Sequence, residues 1–389
     1  MRRALLPVVA LALAACADQP TEAAAVGLLF DDATAPTLPA TDLGYVITGL
    51  PAIVANDPAS RLVAMPDNPL TNAGATLGRV LFYDRRLSRD GTVSCASCHV
   101  QSAAFTDTAR VSRGVGGALG VRNSMPIVNV AWAAVPPAGP PGAPPPPAAP
   151  MRFFWDTRAA SLEAQLLAAI QSDREMAMPL DTLVARLSAV PWYPVLFERA
   201  FGSRTITSLR VAQAIAQFER SMVSVRSRHD SAQAVGFTTL TPQEQQGRQL
   251  FSDPTRINCS ACHGVAPQFL NVVPHNIGLD AVTTDRGLGA VTGQVTDDGK
   301  FRVPTLRNVG VTGPYMHDGR FASLERVLQF YSREVQPHVN LAPQLRNPDG
   351  SPRRPAYTPG EVAALAAYLR TLTDRAFLGD ARFGDPFRR

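Results

Sequence analysis

The chain has 389 residues, enough for about two domains at roughly 150 residues each. Apolar residues make up 46% and charged residues only 18%, with 34 prolines and 28 glycines, which excludes a disordered polyelectrolyte and favours short helices joined by long loops. The net charge of +5 is spread without a Lys/Arg run, so no nucleic-acid-binding surface is expected.

The N-terminus reads as an export signal. Arg2 and Arg3 form a charged start, and Leu5 to Ala15 is an apolar stretch too short to span a bilayer. It ends Leu13-Ala14-Ala15-Cys16. Small residues before a single cysteine resemble a lipoprotein cleavage box, with residues 1–16 as the signal and Cys16 as the lipid anchor. An ordinary signal peptide cut nearby is the alternative. Either way the expected location is the periplasm. Residues 17–42 are rich in Ala, Thr and Pro and read as a flexible tether.

An N-terminal domain is expected over 43–235. A helix carrying Leu77-Gly78-Arg79-Val80-Leu81-Phe82 leads to Cys95-Ala96-Ser97-Cys98-His99. Residues 136–150 are a Pro/Gly/Ala tract without apolar periodicity, best read as a surface insertion. A helix from about Ser208 to Val225 closes the domain. A C-terminal domain over 236–389 repeats the plan. Thr241-Pro242-Gln243-Glu244 is a capping box with Pro at the first helical position. Its helix carries Gln246-Gly247-Arg248-Gln249-Leu250-Phe251 and leads to Cys259-Ser260-Ala261-Cys262-His263. Thr358-Pro359-Gly360-Glu361 opens a last helix to about Thr373, with Leu365, Leu369 and Leu372 on one face.

With Cys16 assigned to the signal, the other four of five cysteines form two C-x-x-C-H motifs, the attachment signature of c-type haem. Two cysteines three apart reach both vinyl groups of one porphyrin, and the next residue offers an imidazole to the iron. Three other readings compete. A redox disulfide needs a βαβ context that is missing here. A zinc site leaves the histidine after each pair unexplained. Structural disulfides are possible in an exported protein. The expected fold is mostly α: two cytochrome c-like domains, each with one covalently bound haem c.

The chain resembles the bacterial di-haem cytochrome c peroxidases and their MauG-like relatives from about Leu77 to Thr373. Beyond the haem motifs, the resemblance rests on Arg122-Asn123-Ser124, Phe154-Trp155-Asp156, Ser161-Leu162-Glu163-Ala164-Gln165, Glu175-Met176, Val303-Pro304-Thr305-Leu306-Arg307-Asn308 and Pro314-Tyr315-Met316-His317-Asp318-Gly319. It implies that peroxide reacts at the N-terminal haem, on Cys95, Cys98 and His99. The C-terminal haem, on Cys259, Cys262 and His263, would store and pass electrons. Trp155 resembles the tryptophan between the haems. Gln165 and Glu175 resemble the pair over the peroxidatic iron, and Glu175 would shuttle the peroxide proton. Asn123, with the backbone oxygens of Thr312 and Pro314, resembles an inter-domain calcium site.

Two departures matter. Many family members hold a distal histidine on the loop before Arg-Asn, but residues 113–121 contain none, which implies a haem open to peroxide at rest. Fourteen residues after His317, where family peroxidases have a Met ligand, stands Tyr331; MauG-like enzymes have Tyr there. Leu324, Val327, Leu328 and Tyr331 share a helical face, so Tyr331 reads equally as an iron ligand or a packed core residue. Met316 is the fallback ligand. His317 is expected to make a structural hydrogen bond.

The leading expectation is reduction of hydrogen peroxide with electrons from a small cytochrome c or cupredoxin. The alternatives are a MauG-like oxidation of a partner protein's side chains and a non-catalytic electron-transfer cytochrome. The distal Gln165 and Glu175 argue against the last.

Overall fold

The computed structural model describes residues 34–55, 65–132, 151–264 and 273–387. The expected signal peptide and the insertion at 136–150 lie outside the described residues. Within them the chain is helical, with isolated β-bridges and no longer strands. The first half carries α1 (Ala52–Ala55), α2 (Asn72–Tyr83), α3 (Leu162–Gln171), α4 (Leu180–Ser188), α5 (Tyr193–Phe201) and α6 (Ser208–Ser221). The second carries α7 (Arg228–Gln233), α8 (Pro242–Phe251), α9 (Cys259–His263), α10 (Leu288–Thr292), α11 (Leu324–Gln329), α12 (Pro359–Arg370) and α13 (Arg375–Leu378). No helix among the described residues is long and apolar enough to cross a membrane.

Helix starts follow side-chain caps. Thr71, Ser161 and Thr207 each accept from a backbone N–H of the first turn. Both predicted capping boxes form, Thr241 with Glu244 and Thr358 with Glu361.

The sequence repeat corresponds to one contact made twice. In the first half α2 crosses α6; in the second α8 crosses α12. A Cβ on Gly78 would sit 2.0 Å from the carbonyl oxygen of Ala214 and 2.8 Å from Cβ of Phe218. A Cβ on Gly247 would sit 2.0 Å from the carbonyl oxygen of Ala364 and 2.8 Å from Cβ of Tyr368. Glycine is required at both positions because helix backbone meets helix backbone there. The close approach buries Leu77, Leu81 and Phe82 in the first core, and Phe251 with Leu365, Leu369 and Leu372 in the second.

Three expected boundaries need correction. The tether does not run to residue 42: Ala35 and Leu38 are buried in the first core, and Thr37 N–H donates to Pro386 O at 2.6 Å. The C-terminal domain does not run to 389 either. Phe377 and Phe383 join the first core, in ring contact with Phe105 (6.0 Å), Phe218 (6.1 Å) and Tyr45 (6.3 Å). Tyr83 Oη and Arg79 Nε donate to the carbonyls of Phe383 (2.7 Å) and Gly384 (2.6 Å). The chain's two ends therefore close the N-terminal half together. The seam at 236 also moves, because α7 belongs to the second half. Arg307 donates to both oxygens of Asp230 (2.6 and 2.7 Å), and both residues are buried.

Gly78→Ala and Gly247→Ala should each destabilise their own half. The substitution gains helix propensity, but the overlap with a carbonyl oxygen dominates at about 1–3 kcal/mol. Urea unfolding of the two variants checks this, and unchanged or raised stability would refute the backbone contact.

Candidate functional site

Cys95 opens a short turn (Cys95–Ser97) capped by Ser94, whose N–H donates to Ser97 Oγ at 2.9 Å. His99 follows, and its Nδ1 lies 2.7 Å from the carbonyl oxygen of Phe105. A carbonyl only accepts, so Nδ1 carries the proton and Nε2 keeps its lone pair for a metal. Ala104 (φ 53°) and Phe105 (φ 58°) both take left-handed backbone, a strained turn that aims this carbonyl at the imidazole. The second motif uses the same device. His263 Nδ1 donates to the carbonyl of Pro304 at 3.2 Å, and burial lowers the ring pKa to about 4, so it is neutral at pH 7. The four thiols are free, and no three His, Cys, Asp or Glu among the described residues gather as a metal cluster. Two free cysteines beside a neutral imidazole with an available Nε2 fit a covalent haem at each motif.

Next to the second motif lies a largely apolar cavity that opens to solvent. Cys259, Cys262, His263, Met316, Tyr331 and Trp155 are in its wall. Tyr331 sits on a π turn (Phe330–Glu334) that continues α11. A π turn shifts the helical register, a feature frequent at functional sites. Burial raises the Tyr331 phenol, and the nearby thiols of Cys262 and Cys259 raise it further. Its hydroxyl has no hydrogen-bond partner among the described residues. Met316, with φ 76°, lines the same cavity. Both expected ligand candidates therefore reach the second site.

Glu175 stands at the first motif. Its carboxyl is close enough to raise the thiols of both Cys95 and Cys98. Burial pushes its own pKa up to about 7, against the opposing pull of Arg158 and a hydrogen bond from Ser172. The histidine-free loop is fixed to this acid. Val115 N–H donates to Glu175 O at 2.8 Å, and a Cβ on Gly114 would lie 2.5 Å from that same oxygen. Gln165 is half-buried on α3, and its side-chain amide has no partner among the described residues.

Trp155 is buried between the halves, with Nε1 donating to Asn123 O at 2.8 Å. Its ring meets His317 edge-on at 6.5 Å, and His317 stacks on Phe301 at 3.8 Å and 13°. This corrects the reading of His317: stacking holds its ring, which has no hydrogen-bond partner among the described residues. Arg122 completes the seam. It lies 5.4 Å over Phe301 and pairs with Asp156 of the first half (2.6 Å) and Asp285 of the second (2.7 Å). Asn123 Nδ2 donates to the carbonyls of Ala109 (3.3 Å) and Arg110 (3.2 Å), which turns its oxygen the other way. Asn123, Thr312 and Pro314 all line the cavity of the second motif.

Sequence reasoning missed two groups at the first motif. Arg158, 3.4 Å over the ring of Phe154, carries no motif signal. Glu219 is buried near Cys95, has one carboxyl oxygen without a partner, and is pushed up to about 8 by burial. Its position within an amphipathic helix gave no sign that it turns inward.

A family model described as di-haem cytochrome c peroxidase matches residues 72–235. The chain is 35% identical over 307 residues to the methylamine utilization protein MauG of Methylorubrum extorquens, across 78% of this chain and 79% of the relative. It is 30% identical over 335 residues to the cytochrome c551 peroxidase of Nitrosomonas europaea, across 85% and 88%. The fold matches the crystal structure of a MauG-like protein associated with microbial copper homeostasis with a TM-score of 0.72 at 32% identity, over 84% of this chain and 97% of that one. The family model covers the first C-x-x-C-H motif, the relatives cover more than three quarters of the chain, and the chain belongs to the di-haem cytochrome c peroxidase family, whose members are oxidoreductases carrying two haems c.

Proposed function

We propose that this protein reduces hydrogen peroxide to water at its N-terminal motif, with electrons from a small cytochrome c or cupredoxin entering at the C-terminal motif. The observation that carries this reading is Glu175, a half-buried acid near enough to Cys95 and Cys98 to act on their charge, whose own pKa burial pushes up to about 7. Reduction consumes two protons and two electrons per peroxide and yields two waters. The haem iron, when bound, supplies electrons and a site for O–O cleavage. The protein's part is proton handling. One peroxide oxygen must lose a proton and the other must gain one before it can leave as water. A carboxyl with a pKa near the working pH can do both. Gln165 offers an uncommitted amide to orient the peroxide, and Trp155 offers an oxidisable ring between the two motifs.

A specific observation favours the MauG-like alternative. Tyr331 reaches the second cavity, and its hydroxyl has no hydrogen-bond partner among the described residues. A phenolate ligand there would favour ferric iron and a low potential, suited to drawing electrons from a partner protein. Calcium bound by Asn123 Oδ1 and the carbonyls of Thr312 and Pro314, with waters completing the shell, would tie the two motifs together. Residues 1–16 are read as an export signal, with Cys16 as a lipid anchor and the periplasm as the location.

Glu175→Gln should slow the peroxide reaction by about 10²–10⁴-fold with haem content unchanged. The carboxylate is the form that accepts the first proton. The wild-type rate should therefore rise with pH through about 7, and the variant should lack that rise. Stopped-flow mixing with peroxide measures both, and a wild-type rate in the variant would remove Glu175 from the mechanism. Tyr331→Met should raise the midpoint potential of the C-terminal haem and change its ferric spectrum. An unchanged potential and spectrum would make Tyr331 a packing residue and weaken the MauG-like alternative.

A further inference from the structure

A buried guanidinium without an anion is far costlier than a buried neutral donor, so an arginine in that position asks for a partner. Arg302 is half-buried and comes close to that situation. Its backbone N–H donates to Trp155 O at 2.8 Å, which sets it on the seam between the halves. Its guanidinium touches the thioether of Met151 and lies 5.7 Å over the ring of Phe153. No carboxylate pairs with it among the described residues, and burial alone pulls its pKa down to about 10. Arg302 is also the one arginine or lysine among the described residues lining the cavity of Cys259, Cys262 and His263.

His275 supplies an independent observation. Its backbone exchanges both hydrogen bonds with Phe301 (2.9 and 3.0 Å), the residue before Arg302. It lines the same cavity, and its Nε2 is buried without a hydrogen-bond partner among the described residues. A guanidinium without a carboxylate and an imidazole nitrogen without a partner among the described residues thus border one cavity, and a c-type porphyrin carries two propionates.

We propose that Arg302 and His275 form the propionate-binding end of the C-terminal haem site, Arg302 as the counter-ion and His275 as a neutral hydrogen-bond donor. The proposal rests on a haem occupying that cavity. Its chemistry is simple. A guanidinium pairs with a carboxylate through charge-assisted bonds. Its positive charge near the porphyrin edge offsets the propionate's negative charge, so an electron is added to the iron more easily. Because Arg302 is held by Trp155 O, the propionate end faces the N-terminal half.

The test uses the holoprotein with Arg302→Gln, Arg302→Lys and His275→Phe. A pyridine haemochrome assay first counts two covalent haems; a single haem in the wild type would refute the cofactor reading and the proposal with it. Redox titrations then run from about pH 5 to about pH 8, spanning carboxyl titration in a buried site. In Arg302→Gln the C-terminal midpoint potential should fall below wild type at the higher pH. It should converge with wild type at the lower pH, where the unpaired propionate takes a proton. Arg302→Lys should restore most of the loss, and the N-terminal potential should not move. The resonance Raman propionate-bending band should shift in both Arg302→Gln and His275→Phe. A wild-type C-terminal potential and band in Arg302→Gln, or a shift confined to the N-terminal haem, would overturn the proposal.

Discussion

Two glycines set the spacing on which both haem sites depend. Gly78 and Gly247 let one helix backbone rest on another, so that no side chain separates α2 from α6 or α8 from α12. The residues that follow each glycine then point from the helix crossing toward the haem motif. Phe82 comes within 6.4 Å of the His99 ring, and Leu250 and Phe251 pack into the second core beside Cys259. A larger residue at either glycine would move the wall against which the porphyrin rests. The repeat visible in the sequence is therefore a repeat of one packing contact, and the haem loops inherit their positions from it.

The two halves are alike in their axial histidines and unlike in what faces the opposite side. Each imidazole gives its Nδ1 proton to a backbone carbonyl, Phe105 in one half and Pro304 in the other. Backbone carbonyls do not titrate, so each ring is fixed in one tautomer over the whole working pH range. For the opposite side the proposed function assigns an acid and an amide, Glu175 and Gln165, to the first half, while a phenol and a thioether, Tyr331 and Met316, line the cavity of the second. An acid handles protons and a soft or phenolic ligand tunes an iron. That division of labour separates a two-site enzyme from a wire with two equal stations.

Much of this was legible in the sequence, for physical reasons that can be named. The C-x-x-C-H motifs, capping boxes and paired glycine helices are local: each depends on residues a few positions apart. Trp155, Glu175 and Tyr331 were found only through family resemblance, since nothing local distinguishes a site residue from a core one. What escaped were contacts made across hundreds of residues. Phe383 packs on Tyr45, Phe377 on Phe105, and Thr37 bonds to Pro386, so both ends of the described chain close over the first core. No periodicity announces such a return of the chain. Arg158 and Arg302 escaped for a related reason. A single arginine in a loop reads as solvent-exposed until the fold shows which anions it has and which it lacks.

The pKa of Glu175 is itself a product of that long-range arrangement. A buried carboxyl beside an arginine would ordinarily be held ionised. Here Arg158 is shared: its guanidinium also donates to both oxygens of Asp156 at 2.9 Å, and it is 44% exposed. Solvent and a competing anion both weaken its hold on Glu175, so burial wins. Asp156 in turn is the first-half partner of Arg122, whose other partner, Asp285, lies across the seam. The acid at the first motif and the ion pairs that join the two halves thus draw on one set of charges. Loosening the seam at Asp285 would leave Arg122 wholly to Asp156. That would leave Asp156 less able to compete for Arg158, and Arg158 free to pull the Glu175 pKa down. Under the proposed function, the proton affinity of Glu175 is in this way coupled to the ion pairs that hold the second half against the first.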